Sequence, residues 1–414
     1  MNLKIYRSFR SRDFSMNLAI ILHQPYPYGM ACTNRIQKYA KGFQELGARV
    51  CVLVPRPTET ERSSAKNKLA RGIHEGIEFA YTCGTTFRGK SFVERRLLEL
   101  KGFTAIIRKL IVERKSIDTV LLVSNHPVFI IFFWMITASL GMIYLQEKSE
   151  LPFYNSSPRN IISKMYQYLY TSYIYKCFDG ILVISTPLYQ YFKPRIRRNA
   201  DLLLVPAIVD IDEFAGAGID KKTNSIVYCG NFTQSQDGIL TLIEAFKSVA
   251  EKVENISLCL VGDTTSKTDK ENALHLIEKL HLEDKVVLTG YVSREKLREL
   301  LCQATMLVLA KPTSRQADYC FPSKLTEYLA TASPVLVTKV GIISEYLRDG
   351  VDAFLVEPDN SEALARKMEF ILSHPDAARQ VGFRGRETAV REFAYKTHAR
   401  RIFEFSNKFE NPSR

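Results

Sequence analysis

Short apolar runs alternate with amphipathic helical stretches along most of this chain, and the alternation starts twice. Residues 18–22 are apolar and lead into His23-Gln24-Pro25-Tyr26-Pro27-Tyr28-Gly29; a helical pattern over 33–46 follows, Gly47 stops it, and 49–54 is apolar again. Strand, glycine-containing loop, helix and strand make a βαβ unit. Such a unit commits its strands to a parallel sheet, because the return crossover needs a helix's length of chain. Further strands are expected at 119–124, 142–145 and 180–185, with a tyrosine-rich helix at 165–175 most simply packed on the sheet. The pattern restarts with strands at 225–228, 257–261, 286–289, 306–310, 335–338 and 353–356. Helices at 239–253, 271–280, 294–304 and 342–347 separate them, and helices at 363–372 and 387–409 close the chain. Two doubly wound α/β domains in succession are therefore expected, with ligands outside the carboxyl ends of the strands. A length of 414 residues suits two cores better than one. Only 56–92, rich in Thr, Arg, Lys and Gly, resists assignment.

Composition narrows the function classes. Hydrophobic residues make up 46% and charged residues 24%, the balance of a folded globular chain. Eight scattered cysteines form no CxxC pair, which favours reduced thiols in a cytoplasmic protein over disulfides or a zinc site. Residues 1–15 are basic and polar without the apolar centre of a signal peptide, and a flexible leader is expected there. A net charge of +13 makes nucleic acid, an anionic membrane surface and phosphorylated substrates candidate partners. No nucleic-acid-binding motif orders the basic residues, so nucleic acid is not expected. Arg95-Arg96, Lys101, Arg108-Lys109 and Arg114-Lys115 share a helical pattern with Leu97, Ile106, Leu110 and Ile111. Such a helix can lie on an anionic bilayer or bury its apolar side in its own domain. The uncharged run 128–145 is borderline for a membrane span, but a helix ending near Gly141 followed by a buried strand accounts for it in an α/β domain.

The joint between domains falls near Val205-Pro206-Ala207-Ile208-Val209-Asp210-Ile211-Asp212-Glu213-Phe214. Asp210 and Asp212 form a D-x-D pair, but at the joint and not at a strand end in a cleft, so no metal is expected there.

The most chemically specific stretch is Phe321-Pro322-Ser323-Lys324-Leu325-Thr326-Glu327-Tyr328-Leu329-Ala330, followed by Ser333-Pro334 and an apolar strand. Pro322 suits the first turn of a helix, where a missing N–H costs nothing. Unpaired amides and the helix dipole at that end attract phosphate, and Lys324 adds a full charge. Glu327, one turn on, can accept hydrogen bonds from hydroxyls of the same ligand. Phosphate beside a polyol describes a nucleotide-sugar, although an ordinary capped helix would begin in the same way.

This segment resembles the donor-binding core of the retaining GT-B glycosyltransferases of family 4, in a variant associated with bacterial surface polysaccharides. The resemblance covers about 17–407 and is strongest over 225–360. Glu327 matches the second glutamate of the family's pair; the first would fall on Tyr319, with Asp318 beside it, and Ser333 stands where glycine is usual. The resemblance implies an α/β GT-B fold, two doubly wound Rossmann-like domains around an interdomain cleft. The acceptor-side domain would span 16–205, the nucleotide-sugar domain 206–392, and a final helix, 393–414, would cross back to the first domain. It implies a nucleotide-sugar co-substrate and no metal or other cofactor.

Residue by residue, the resemblance places His126, Lys324 and Glu327 at the chemistry, with Glu327 on the ribose. Lys324, Ser323 and the helix start shaped by Phe321 and Pro322 would hold the diphosphate. Gly230-Asn231 stands where the family has Gly-Arg, and Asp237 precedes Gly238 where a lysine is usual, so Lys311 and Arg315 become the candidate replacement cations. Tyr291 and Val292 occupy the place where backbone reads the base. Gly29 would let amides approach phosphate or sugar. His126, in Ser124-Asn125-His126-Pro127, would meet the donor sugar or acceptor, and Glu147 and Glu150, read as following the strand that ends at 145, would face the acceptor. No nucleophile is placed; the family is thought to work by front-face attack, the leaving phosphate helping to take the acceptor proton.

The expected function is transfer of a sugar from a nucleotide-sugar donor to a glycan or lipid-linked acceptor, in the cytoplasm or peripherally on the inner face of the plasma membrane. A non-catalytic GT-B scaffold and a GT-B sugar-nucleotide epimerase are the alternatives.

Overall fold

The computed structural model describes residues 16–60, 65–153, 160–215, 223–264 and 266–409; the leader expected at 1–15 lies outside them. Two sheets organise the chain. The first holds β1 (Asn17–Leu22), β2 (Arg49–Val54), β3 (Arg71–His74), β4 (Ile77–Tyr81), β5 (Thr119–Val123), β6 (Ile143–Lys148), β7 (Gly180–Val183) and β8 (Asp201–Leu204). Their spatial order is β3-β4-β2-β1-β5-β6-β7-β8, and only the β3–β4 pair is antiparallel. Helices α1 (Ala31–Glu45), α2 (Phe92–Val112), α3 (Pro127–Leu140), α4 (Ile161–Tyr173) and α5 (Thr186–Phe192) connect them.

The second sheet holds β9 (Thr223–Cys229), β10 (Ser257–Val261), β11 (Val286–Gly290), β12 (Ala304–Leu309), β13 (Val335–Thr338) and β14 (Phe354–Val356), all parallel, in the order β11-β10-β9-β12-β13-β14. Its helices are α6 (Gln234–Asp237), α7 (Ile239–Lys252), α8 (Lys267–Lys279), α9 (Arg294–Gln303), α10 (Arg315–Tyr319), α11 (Ser323–Ala330), α12 (Ile343–Tyr346), α13 (Ser361–Ser373), α14 (Pro375–Phe393) and α15 (Tyr395–Asn407). Central strands such as β1 (NLAIIL) and β12 (ATMLVL) are near-continuous apolar runs, because helices cover both faces of a parallel sheet.

Several elements differ from expectation. The unassigned stretch 56–92 contains the β3–β4 hairpin, closed by Glu75-Gly76 with both φ positive, and β4 then extends the parallel sheet beside β2. Strand β8 was not anticipated; its apolar signal is only four residues long. β6 runs on to Lys148, so Gln146, Glu147 and Lys148 are buried strand residues and do not form a loop after it. The closing helix expected over 387–409 is two helices. Ala394 between them is extended, because the backbone of Val209 inserts there: its N–H donates to Phe393 O (2.8 Å) and its carbonyl accepts from Tyr395 N–H (3.0 Å). The tyrosine-rich helix exists as α4, but it buries only Tyr170 and is not packed into the sheet along its length. The run 128–145 resolves as α3 followed by β6, and among the described residues no helix is long and apolar enough to cross a membrane.

Each sheet reverses its winding once. In the first the chain builds outward from β1 through β2 and β4, then returns to lay β5 on the other side of β1. In the second it builds from β9 through β10 and β11, then returns to lay β12 beside β9. At such a point the two flanking crossovers leave in opposite directions and open a crevice at the carboxyl ends of the strands. The crevices lie at His23 and Ser124 in one domain, and at Gly230 and Lys311 in the other.

The two domains meet through specific contacts. Ser185 Oγ donates to Tyr319 O (2.5 Å), Thr186 Oγ1 to Glu345 Oε2 (2.8 Å), and Cys320 Sγ to Ser149 O (3.4 Å). α15 packs on α1, with Tyr395 OH donating to Glu45 Oε1 (2.6 Å). Asp210 and Asp212 each meet a lysine, Lys41 at 2.5 Å and Lys396 at 3.1 Å, which ties the joint to α1 and α15.

Candidate active site

In the second domain the site is built on the end of β9. Tyr328, on α11, accepts the N–H of Cys229 through its hydroxyl (2.7 Å), so the helix is stapled to the strand. The staple brings Lys324 over the turn at Gly230. A Cβ at position 230 would lie 1.7 Å from Lys324 Nζ, so only glycine leaves room for the lysine there. Lys324 Nζ donates to Asp237 Oδ1 (3.2 Å) and Tyr228 OH (3.3 Å) and lies over the Tyr228 ring. Lys311, just past β12, donates to Gln236 O (2.6 Å).

Asp237 is buried and also accepts from Thr233 Oγ1 (2.6 Å). Burial alone would raise its pKa, but Lys324, Thr233 and Lys311 outweigh it and hold the carboxyl below its ordinary value. Burial depresses Lys311. The switch point thus carries two lysines around one carboxylate, a net positive charge beside the first amides of α11, which have no intrahelical acceptor.

One turn further along α11, Glu327 is three-quarters or more enclosed, its side chain 15% exposed. It holds two cations: Arg294 from the start of α9 (2.8 and 3.4 Å) and Lys38 from α1 of the other domain (3.5 Å). Burial would raise its pKa; Lys38 and Arg294 reverse the sign and keep it low. Arg294 is itself anchored bidentately on Glu213 (2.5 and 2.8 Å). Glu327 therefore already joins the two domains through Lys38. Sequence reasoning missed Lys38, Arg294 and Glu213; Ser293 as N-cap marks the start of α9, but nothing local shows that Arg294 turns toward Glu327.

The structure gathers Gly230, Lys311, Ser323, Lys324 and Glu327 along one edge, with Pro322 as the extended N-cap of α11. Asn231 joins through its carbonyl, which accepts from Tyr228 OH (2.6 Å). Phe321 is a core residue: its ring packs with those of Tyr346 and Phe393 and pins the segment from behind, so it does not face a ligand. Arg315 is exposed on α10, toward Tyr191, and is not gathered with the lysines. Tyr319, where the first glutamate would stand, is half-buried against the core and approaches the first domain through its carbonyl; Asp318 beside it is exposed. Tyr291 is exposed with Lys66 Nζ over its ring (5.2 Å), again across the domains, and Val292 is half-buried beside it.

In the first domain, β1 and β5 deliver His23 and Ser124 to the switch point. Ser124 Oγ bonds His23 Nδ1 (2.9 Å) and accepts the N–H of His126 (3.2 Å). Burial, then Arg56 and His126, push His23 down to about 3, so the inner ring is neutral. His126 is exposed at the start of α3, its ring edge-on to Phe129. Gly29 is required by packing: a Cβ would fall 2.1 Å from Thr33 Oγ1. Glu147 is not open to an acceptor. It is buried on β6, where Arg35 Nε donates to it (2.9 Å) while the same guanidinium donates to Val205 O and Pro206 O (2.6 Å each). Glu150 is exposed, its carboxyl raised by partial burial and by Glu147.

Residues 210–388 match the family model described as glycosyl transferases group 1. N-acetyl-alpha-D-glucosaminyl L-malate synthase of Bacillus anthracis is 26% identical over 176 residues, 42% of this chain and 43% of that protein. The chain spans about half the length of the curated relatives it matches. Sucrose-phosphate synthase from Thermosynechococcus elongatus superposes with a TM-score of 0.72 at 17% identity, covering 95% of this chain and 98% of that one. Anabaena HepE, in complex with UDP-glucose, superposes with a TM-score of 0.68 at 15% identity, covering 95% and 100%. The chain has the GT-B fold, and its second domain is the part that matches the group 1 glycosyl transferases.

Proposed function

We propose that this protein is a retaining glycosyltransferase of the family 4 kind. In this reading it moves a sugar from a nucleoside diphosphate sugar to a glycan or lipid-linked acceptor at the cytoplasmic face of the membrane, in surface-polysaccharide synthesis. The observation that carries the reading is the placement of Lys324 and Lys311 at the β9–β12 switch point, with Glu327 one helical turn away on the same edge. A departing nucleoside diphosphate gains negative charge on its terminal phosphate, and donors fixed before reaction stabilise that charge most effectively. Lys324 and the α11 amides fill this role, while Glu327 accepts the ribose hydroxyls and fixes the nucleotide's position. The crevice at His23 and Ser124 receives the sugar and the acceptor, with His126 at its rim. The leaving phosphate assists removal of the acceptor proton, so no protein nucleophile is required. HepE, whose complex holds UDP-glucose, supports a nucleotide-sugar donor for this architecture.

A scaffold role has its own support in Tyr319, where the resemblance expects a glutamate, and in Asn231 and Asp237, where it expects an arginine and a lysine. The test is thermal stabilisation by UDP-, GDP-, ADP- and CMP-sugars, followed by anomer-resolved product analysis with the stabilising donor. A ligand held by the native state alone raises its apparent stability. Stabilisation by one nucleotide, lost in Lys324→Ala, is expected; a folded protein that no nucleotide stabilises favours the scaffold, or a donor site formed only with acceptor bound.

A further inference from the structure

The first domain leaves an unusual surface uncovered. α3 carries no charged residue and α4 carries only Lys164, yet both are solvent-facing along their outer sides. On α3, Ile131, Trp134 and Met135 are exposed; on α4, Ile162, Met165 and Leu169 are exposed, Ile162 by 68%. The two helices meet at one end, where Tyr170 OH on α4 donates to the carbonyl of Asn125, directly before α3 (2.7 Å). α2 continues the layer: Phe103 packs on Phe129, Phe132 and Phe133 of α3. Beyond that contact α2 exposes Leu97, Leu100 and Ile111 together with Arg95, Arg96, Lys101 and Arg108, against the exposed Glu94 and the half-buried Glu99, which pairs with Arg96 (2.7 Å). An apolar field with amphipathic Trp and Tyr rings and a basic margin matches the chemistry of a bilayer interface. Hydrocarbon takes the apolar side chains, the ring edges sit at headgroup depth, and the cations meet anionic lipid.

We propose that the outer faces of α3 and α4 are a docking surface for an anionic lipid bilayer. The two helices carry no acidic side chain, and α2 beside them carries five cations to two carboxylates, a net basic balance that favours an anionic sheet of lipid over a protein partner. α4 lies against the loop that carries His126, so a docked bilayer brings its headgroups to the mouth of the first domain's crevice. Resting on the functional reading above, this selects a lipid-linked acceptor over a free glycan.

Trp134 is the chain's single tryptophan, so its emission reports on this face alone. Full-length protein is titrated with vesicles of phosphatidylcholine, and of phosphatidylcholine with phosphatidylglycerol, with and without brominated acyl chains. Expected are a blue shift and bromine quenching with the anionic vesicles, weakened by salt. The double variant Ile162→Asp/Leu169→Asp should lower vesicle partitioning at least about a hundredfold, about tenfold for each apolar side chain kept in water. Nucleotide-induced stabilisation of the variant should match that of the wild type, showing that it folds. Vesicle binding without quenching of Trp134, no binding at all, or a blue shift that depends on protein concentration without vesicles each overturns the proposal, the last by assigning the face to a second copy of the chain. If the wild type fails to bind nucleotide while Trp134 is still quenched, the donor reading falls and the docking surface stands.

Discussion

Glu327→Gln separates a nucleotide-binding carboxylate from a mere interdomain ion pair. The wild-type side chain is ionised at neutral pH, because Lys38 and Arg294 overcome the burial that would raise its pKa. Glutamine keeps the shape and one acceptor oxygen but loses the charge. Of two charge-assisted bonds to vicinal hydroxyls, one is lost and the other weakened, which costs about 2 kcal/mol, or ~30-fold in Kd. The cost to folding is smaller. Arg294 keeps its bidentate partner Glu213, and at 37% exposure its pairing with Glu327 is screened by solvent. Lys38 loses a contact at 3.5 Å. Together these amount to about 1 kcal/mol, and a thermal midpoint lower by about 2–4 °C for a domain of this size. Calorimetric titration with the nucleotide that stabilises the wild type measures the first quantity, and thermal unfolding without ligand the second. A Kd changed by less than about twofold, with the midpoint lowered as expected, would refute the argument: the carboxylate would then serve only to join the domains.

Asp237→Asn removes the one negative charge between Lys311 and Lys324, so nucleoside diphosphate should bind several-fold tighter while urea stability falls by about 1–3 kcal/mol; weaker binding would show that the carboxylate positions Lys324 for the phosphate. Arg35→Met removes the cation beside Glu147, whose side chain is 4% exposed and keeps only the Ser149 hydroxyl as donor, and should cost about 3 kcal/mol by chemical denaturation, with much of the loss recovered when Glu147→Gln is added. Stability should also fall in mild acid. His23 and His398 have folded pKa values of about 3 and about 4, below the ordinary imidazole value, so both stay neutral in the native state. The unfolded chain therefore binds more protons below about pH 6.5, and the stabilisation, complete above that pH, declines as pH falls toward 4 and below. Denaturation midpoints across that range should slope less steeply in His23→Gln and in His398→Gln; unchanged slopes would mean that neither ring is held neutral.

Much of this protein is readable along the chain. The βαβ rhythm, the positions of most strands, the helix beginning at Ser323, and the placement of Lys324 and Glu327 one turn apart on it are local properties, set by periodicity, capping and residue type within one or two turns. Strands β3 and β8 were not legible, because a short edge strand has little apolar signal of its own and exists through the neighbour it pairs with. The break at Ala394 was hidden for the same reason, since helix 387–409 reads as continuous until the backbone of Val209 enters it.

Partnership between distant residues was set by the folded chain alone. Phe321 sits in the same ten residues as Lys324, yet one packs against Phe393 and the other reaches Asp237, because opposite sides of a helix start face different layers. Lys38 lies 289 residues before Glu327, and Arg35 lies 112 before Glu147. No local pattern encodes which carboxylate a distant cation will meet, since that follows from strand order and from how two domains close. The residue pattern alone was enough to specify two wound α/β sheets and a helix beginning at Ser323. The folded chain decided where the sheets reverse, and with that which side chains stand together at the crevice, because a switch point is a property of strand order in space and is written in no single segment.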